Sequence, residues 1–155
     1  MIQITVGTVD VYVVRQRAEL EVLVMRRASG VRCPGAWEAI HGRIEAGELP
    51  EQCAARELAE ETGLAVERLY NVRCHAFYLP RQQRVNVAVA FAAFVSSDAT
   101  VRTGPEHDAI EWLSLSEATE RFSWPRARDV LRDITQLLRD GTAGPLEDVL
   151  LVDLD

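Results

Sequence analysis

The sequence predicts an α/β protein of the α+β kind, in which a mixed β-sheet is sandwiched between α-helices. Strand-like segments dominate the chain, one helical segment interrupts them in the middle, and helical segments follow near the end. This order is typical of a sheet covered by helices. At 155 residues the chain has the size of one domain. We therefore expect a single domain built around one sheet.

Six segments have the composition of β-strands. They are rich in Val, Ile, Leu and aromatic residues and are bounded by polar, Gly-rich or Pro-rich turns. The predicted strands are residues 2–15, 20–27, 36–42, 69–80, 85–95 and 109–115. The polar "QRAE" between the first two predicts a hairpin, and the fifth strand is apolar enough to be buried on both faces.

Three segments predict helices. From Leu49 to Thr62 good helix formers dominate, with Pro50 in the first turn and Gly63 as a stop. A brief helix is expected over Glu117–Arg121 and a longer one over Pro125–Leu138. Residues 1–140 would form the domain, and the tail 141–155, with its apolar "VLLV", is expected to pack on the body or on a second subunit.

Composition excludes several classes of function. The net charge of −7 argues against binding a nucleic-acid polymer, which needs a basic surface. No run reaches the roughly 18 apolar residues of a membrane span, so no membrane partner is expected. The N-terminus does not have the pattern of a signal peptide, which predicts a cytoplasmic location. A small anionic ligand is compatible with local arginines.

The helical segment 49–62 gathers carboxylates on one face. Glu57, Glu60 and Glu61 stand at positions i, i+3 and i+4, where like charges repel. A hard divalent cation such as Mg²⁺ would offset this repulsion, because it takes oxygen ligands from carboxylates and substrate phosphates. The alternative is an acidic helix facing water, which is the commoner explanation for three glutamates alone.

A longer motif favours the metal site. The segment 42–64 fits the pattern G-x5-E-x7-R-E-L-x-E-E-x-G-L. Its polar and glycine positions would match by chance on the order of 10⁻⁸ times per starting point at average residue frequencies. The fixed positions are Gly42, Glu48, Arg56, Glu57, Leu58, Glu60, Glu61, Gly63 and Leu64.

With this complete motif the chain resembles the Nudix hydrolases. The likeness continues from "EVLVMRR" through "PGAWEAIHG" to "EHDAIEWLSL". The resemblance implies a loop-helix-loop on a mixed sheet between helices, and metal-dependent hydrolysis of a nucleoside diphosphate linked to another group X. The implied cofactor is Mg²⁺, with Mn²⁺ as a substitute, and the implied partner is a small phosphoanhydride substrate.

The resemblance also assigns roles to residues. Glu57 and Glu61 are the implied metal ligands, and Glu60 would assist as ligand or base. Arg56 would orient a box glutamate, first of all Glu48. The structural positions of the box are Gly42, Glu48, Arg56 and Gly63.

Other residues are candidates for the chemistry and for substrate binding. Glu106, in a Gly-Pro loop, stands where many family members recruit a further acid, as ligand or as base; a solvated loop glutamate is the alternative. The general base is therefore Glu60 or Glu106.

Arg27 is the expected phosphate contact, and Arg26 is the alternate because strand neighbours face opposite ways. The remaining predicted substrate contacts are His41, Gly42 and Ser123, with His41 either touching phosphate near the metal loop or filling space.

Two substrate classes follow from the resemblance. The segments "PEHDAIEWL" and "RFSWPRARDVL" look similar to dihydroneopterin triphosphate pyrophosphatases, which implies cleavage of a nucleoside or pterin triphosphate to a monophosphate and pyrophosphate. Pro80, sixteen residues after Leu64, resembles ADP-ribose hydrolases instead. A non-catalytic nucleotide sensor is the hypothesis from another class, although such members usually lose box glutamates. The sequence is compatible with both a monomer and a homodimer.

Overall fold

The computed structural model describes all 155 residues. Its strands are β1 (Gln3–Gln16), β2 (Leu20–Arg27), β3 (Trp37–Glu38), β4 (Ile40–Arg43), β5 (Arg68–Leu79), β6 (Arg84–Phe94) and β7 (His107–Ser114). Its helices are α1 (Pro50–Thr62), α2 (Leu115–Arg121), α3 (Pro125–Leu138) and α4 (Glu147–Leu150).

The sheet is mixed, as predicted. Its main path runs β3-β2-β1-β6-β5, while β4 pairs with β1 and β7 pairs with β2. The β1–β6 pair is parallel and the other pairs are antiparallel. The long strand β1 organises this sheet, because it contacts β6 along most of its length, β4 at residues 8–11 and β2 at residues 14–16.

The segment predicted as one strand, residues 36–42, forms two. Trp37 and Glu38 pair with β2, whereas the residues from Ile40 to Arg43 pair with β1. The reason is that β1 and β2 pair with each other only over residues 14–16 and 20–22. Beyond these residues β1 and β2 each pair with a different strand. The segment 37–43 supplies both partners, since it leaves β2 after Glu38 and joins β1 from Ile40 onward.

Each face of the sheet carries a hydrophobic core. On one face Cys53, Ala54 and Leu58 of α1 pack against alternate residues of β1, and on the other face α2 and α3 cover Tyr12 and its neighbours. The predicted layering of sheet between helices is therefore confirmed. Burial of β6 on both faces holds only for its second half, Ala90–Phe94.

The helix ends follow their local sequence. Gly63 takes a left-handed conformation with φ 72°, and its N–H donates to the carbonyl of Ala59. The helix predicted over Glu117–Arg121 begins earlier, at Leu115, because Ser114 caps it. The Ser114 hydroxyl accepts from the Glu117 N–H at 3.2 Å, and the Glu117 carboxylate accepts from the Ser114 N–H at 3.1 Å.

The tail contacts the body of the protein. The N–H of Val152 donates to the carbonyl of Leu69 at 2.8 Å, and the Tyr70 hydroxyl donates to Glu147 at 2.6 Å. These bonds place the short helix α4 against β5. No helix of the protein has the length and apolar character needed to cross a membrane.

Leu58 seats α1 on the sheet and is fully buried. We expect Leu58→Ala to lower the free energy of unfolding by about 2–5 kcal/mol, because it removes buried methyl groups and leaves a cavity. Leu49→Ala is the matched control, since Leu49 is 54% exposed. Urea titrations of both variants check this expectation, and equal losses would contradict it.

Candidate functional site

The acidic helix and the loop before it meet at Gly42. A Cβ added to Gly42 would lie 2.2 Å from Cγ and 2.6 Å from Cδ of Glu57. The Glu57 side chain therefore runs directly over the backbone of β4, and only glycine leaves room for it. This close approach fixes where the carboxylate of Glu57 can lie.

Arg56 connects the glutamates of loop and helix. Its Nε and Nη2 donate to the two oxygens of Glu48 at 2.8 and 2.9 Å, and its Nη1 donates to Glu57 at 2.9 Å and to Glu60 at 3.3 Å. The Nη2 also donates to the carbonyl of Arg43 at 3.0 Å. Hydrogen bonds from Arg56 lower the pKa of Glu48 to about 2. Arg56 thus ties loop 43–48 to α1.

One cleft of about 290 Å³ collects the carboxylates. Glu57, Glu60 and Glu61 line it from α1, and the loop from Gly104 to His107, with Glu106, lines it from the opposite wall. Burial, followed by the charges of Glu57 and Glu106, raises the pKa of Glu61 to about 8. Burial also raises the pKa of Glu57. The ionised form of Glu61 is therefore disfavoured in this cleft.

Arg27 provides positive charge at this cleft. Its Nη1 lies 3.3 Å from Glu38 and 3.8 Å from Glu106. Glu38 also lies 3.1 Å from Nε2 of the buried His107. Glu38 was not among the predicted site residues, although a lone carboxylate inside the apolar "AWEAI" is a signal that could have pointed to it.

The glutamates of this cleft are suitable ligands for a divalent cation. They offer carboxylate oxygens, the donors that Mg²⁺ and Mn²⁺ take, and a bound cation would favour the ionised form of Glu61, which burial and then neighbouring charge disfavour. As the side chains stand, no three His, Cys, Asp or Glu side chains converge closely enough to hold a metal ion. Binding would therefore require the glutamate side chains to turn toward one another.

His41 lies on the opposite face of the sheet from Glu57. Its neighbours Ile40 and Gly42 point toward α1, so His41 points away from it. Its Nδ1 lies 2.7 Å from Oδ1 of the buried Asp10, whose Oδ2 accepts from Nε of Arg126 at 2.9 Å. Burial alone would raise the pKa of Asp10, but hydrogen bonds to His41 and Arg126 hold it below its ordinary value. The structure therefore places the His41 side chain beside Asp10, on the face away from α1.

A second, narrow pocket opens beside this Asp10 cluster. Its walls carry three aromatic side chains and the polar side chains around Asp10. They are Asp10, Tyr12, Glu38, His41, Phe122, Trp124 and Arg126, with Ala39 and Ala127. Glu38 contacts Arg27 and also lines this pocket, so it links the two regions.

Two other predicted contacts lie elsewhere. Arg26 forms an ion pair with Asp108 at 2.7 Å and stacks near Trp37. Ser123 exchanges two hydrogen bonds with the backbone of Trp37, each 2.9 Å long. Ser123 thus anchors the α2–α3 connection to β3, and Arg27 rather than Arg26 approaches Glu106 of the acidic cleft.

Known proteins share this sequence pattern. Residues 5–134 match the model of the NUDIX domain. The chain is 42% identical over 134 residues to an octanoyltransferase of Myxococcus xanthus, covering 83% of this chain but only 36% of that protein. It is 27% identical over 122 residues to the asymmetrical bis(5'-nucleosyl)-tetraphosphatase of Rattus norvegicus, covering 77% of this chain and 81% of that protein.

Solved structures share the fold. The structure of a C. elegans Ap4A hydrolase binary complex superposes with a TM-score of 0.72 at 20% identity, covering 86% of this chain and 98% of that one. The MutT protein of Methanosarcina mazei superposes with a TM-score of 0.69 at 23% identity, covering 87% and 95%. At these identities the likeness concerns the fold.

The raised pKa of Glu61 predicts a pH-dependent stability. Between about pH 5 and about pH 8 the folded protein keeps a proton that the unfolded chain releases, so the free energy of unfolding falls as pH rises. We expect Glu61→Gln to reduce this fall in metal-free protein, measured by urea unfolding across that range. Glu120→Gln, an exposed glutamate of α2, is the control and should behave as wild type. If the free energy of unfolding falls as steeply with rising pH in Glu61→Gln as in wild type, another group is responsible.

Proposed function

Because this chain belongs to the Nudix family, we propose that it is a divalent-metal-dependent pyrophosphohydrolase acting on a nucleotide-like substrate. The predicted family is confirmed, and the hydrolases of this family cleave phosphoanhydride bonds. The observation that carries the proposal is one cleft beside Arg27 that four carboxylates line, and in which burial and neighbouring charge raise the pKa of Glu61. A cytoplasmic location belongs to the proposal, since the three cysteines are free thiols.

Glu57, Glu61 and either Glu60 or Glu106 would hold the cation. When bound, Mg²⁺ or Mn²⁺ supplies charge stabilisation of the phosphoryl oxygens and lowers the pKa of a bound water. Arg56 keeps Glu57 and Glu48 in place, and it offsets part of their charge before any ion binds. Arg27 contributes a guanidinium that can neutralise a phosphate oxygen at the cleft.

The attacking water needs a carboxylate as general base. Glu60 and Glu106 have the most exposed side chains of the cleft acids, 59% and 61%, so both can reach a solvent molecule. Glu60 accepts a hydrogen bond from Arg56, whereas Glu106 approaches only Arg27, at 3.8 Å. Comparing the pH–rate profiles of Glu60→Gln and Glu106→Gln would identify the base, because its loss removes the acidic limb.

We propose that group X binds at the mouth of the narrow pocket beside Asp10. Trp124, which is 39% exposed, can pack on a planar ring, and Arg126 and His41 can bind polar edges. The substrate we favour is a nucleoside or pterin triphosphate, cleaved to a monophosphate and pyrophosphate. Its phosphates would pass Glu38 to reach the acidic cleft.

A dinucleoside tetraphosphate is the second candidate substrate. It is favoured by the similarity to the asymmetrical bis(5'-nucleosyl)-tetraphosphatase, most of whose length this chain matches. The similarity to the octanoyltransferase covers about a third of that protein, so its activity is not carried over. ADP-ribose remains the alternative drawn from Pro80.

The deciding experiment is a substrate panel with separated phosphate products. Purified protein and Mg²⁺ are incubated with nucleoside triphosphates, dihydroneopterin triphosphate, diadenosine tetraphosphate, NADH and ADP-ribose, with EDTA as control. Pyrophosphate from a triphosphate supports the proposal, and asymmetric cleavage of the tetraphosphate supports the second candidate. Metal-dependent binding without any cleavage would instead indicate a nucleotide sensor.

Glu57→Gln tests the metal site. We expect turnover to fall at least about 100-fold, because the amide is a poor metal ligand, while the fold is retained. Glu51→Gln, an acid in the first turn of the same helix, is the control and should keep near-wild-type turnover. Turnover and circular dichroism are measured together; wild-type-like turnover of Glu57→Gln would remove Glu57 from the site.

Trp124→Ala tests the pocket for group X. We expect KM to rise about 10-fold with little change in kcat, because the ring contacts the organic group and not the reacting phosphorus. Trp124→Phe keeps a ring and should recover most of the affinity. A fall in kcat with unchanged KM would place Trp124 outside the substrate pocket.

A further inference from the structure

At one end of the sheet, β1, β6 and β5 extend beyond α1 as a three-stranded ribbon. Residues 3–7 of β1 pair with β6 alone, apart from one bond from the Ile44 N–H to the carbonyl of Gly7. The register aligns Ile4 with Val85 and Tyr78, and Val6 with Val87 and Ala76. Side chains aligned in this way share one face of a sheet. We call the set Ile4, Val6, Ala76, Tyr78, Val85 and Val87 the apolar face.

Exposure on this ribbon is the reverse of the usual pattern. On the apolar face Ile4 is 75% exposed, Val6 52% and Tyr78 50%. On the opposite face of the same strands Asn86 is fully buried, and its Oδ1 has no hydrogen-bond partner. Polar residues are normally the exposed ones, so the exposed apolar face is the unusual feature.

The apolar face continues the core beneath α1. Val9 of β1 and Val89 of β6 lie on the same side of the sheet and pack in that core. Helix α1 covers the sheet as far as these residues and leaves the next two rows uncovered. The ribbon therefore has the composition of a covered sheet but lacks its cover.

Charged residues are absent from this face. The first nine residues, Met1 to Val9, contain none, although exposed edge strands in natural proteins usually carry charge or proline that prevents pairing. Two arginines of these strands belong to the opposite face: Arg73 donates to Asp133 of α3 at 2.6 Å, and Arg84 aligns with Leu79. Arg81 lies in the turn that joins β5 to β6.

We propose that two copies of this chain associate through their apolar faces, packed sheet against sheet across a two-fold axis. A two-fold interface joins the same patch to itself, so a purely apolar patch is self-complementary. The exposed apolar side chains here offer roughly 500 Å², a large part of the ~800 Å² per partner in a standard interface. A net charge of −7 and the lack of basic residues in the patch disfavour an anionic membrane as the occupant.

Sedimentation of the full chain tests this association. We expect wild type to form dimers within a range of about 1–100 µM, and Val6→Asp to raise the dissociation constant at least about 100-fold. Ala18→Asp is the control, because Ala18 is an exposed apolar residue between β1 and β2, outside the face, and should leave association unchanged. Added salt should strengthen the dimer, since it screens the repulsion between two acidic chains.

Tyr78→Arg gives a second, independent variant on another strand, and circular dichroism checks that each variant folds. A wild type that is monomeric over the whole range overturns the proposal, as does a Val6→Asp protein that still forms dimers. Equal dissociation in Ala18→Asp would also overturn it, because the effect would then come from charge alone. Binding of a monomeric wild type to uncharged phosphatidylcholine vesicles would identify a lipid surface instead.

Discussion

The hydrogen bonds from Arg56 to Glu48 hold the acidic loop to the acidic helix, and the placement of the cleft carboxylates depends on them. One guanidinium contacts Glu48, Glu57 and Glu60, so it offsets repulsion that would otherwise push loop and helix apart. Gly42 completes this constraint by letting Glu57 cross the strand below. Helix, loop and strand are thus locked into one unit.

Strand β1 divides the molecule into two chemically distinct faces. Toward α1 the sheet supports the acidic cleft, which a divalent cation would stabilise. Toward α3 it supports Asp10, whose carboxylate is neutralised by Arg126 and faces an aromatic pocket. Glu38 lies where the two regions meet, since it contacts Arg27 and also lines the pocket. The proposed substrate would place its phosphate chain at the acidic cleft and its ring at the pocket beside Asp10.

Much of the fold could be predicted from local signals. The bounds of α1 follow from Pro50 and Gly63, and α3 begins and ends where its composition indicates. The splitting of residues 36–42 could not be predicted, because it depends on how far β1 and β2 stay paired. The early start of α2 could have been read from the Ser114–Glu117 capping pair.

The sequence by itself determined the family and the acidic helix, because the box residues lie within 23 positions and their spacing survives any packing. Only the tertiary structure decided which arginine approaches the cleft and that His41 faces away from it, because a one-residue shift along a strand reverses the face. It also decided that Glu38 lies near Glu106 and that the start of β1 is uncovered. Such contacts join residues far apart in the chain, and no local pattern encodes them.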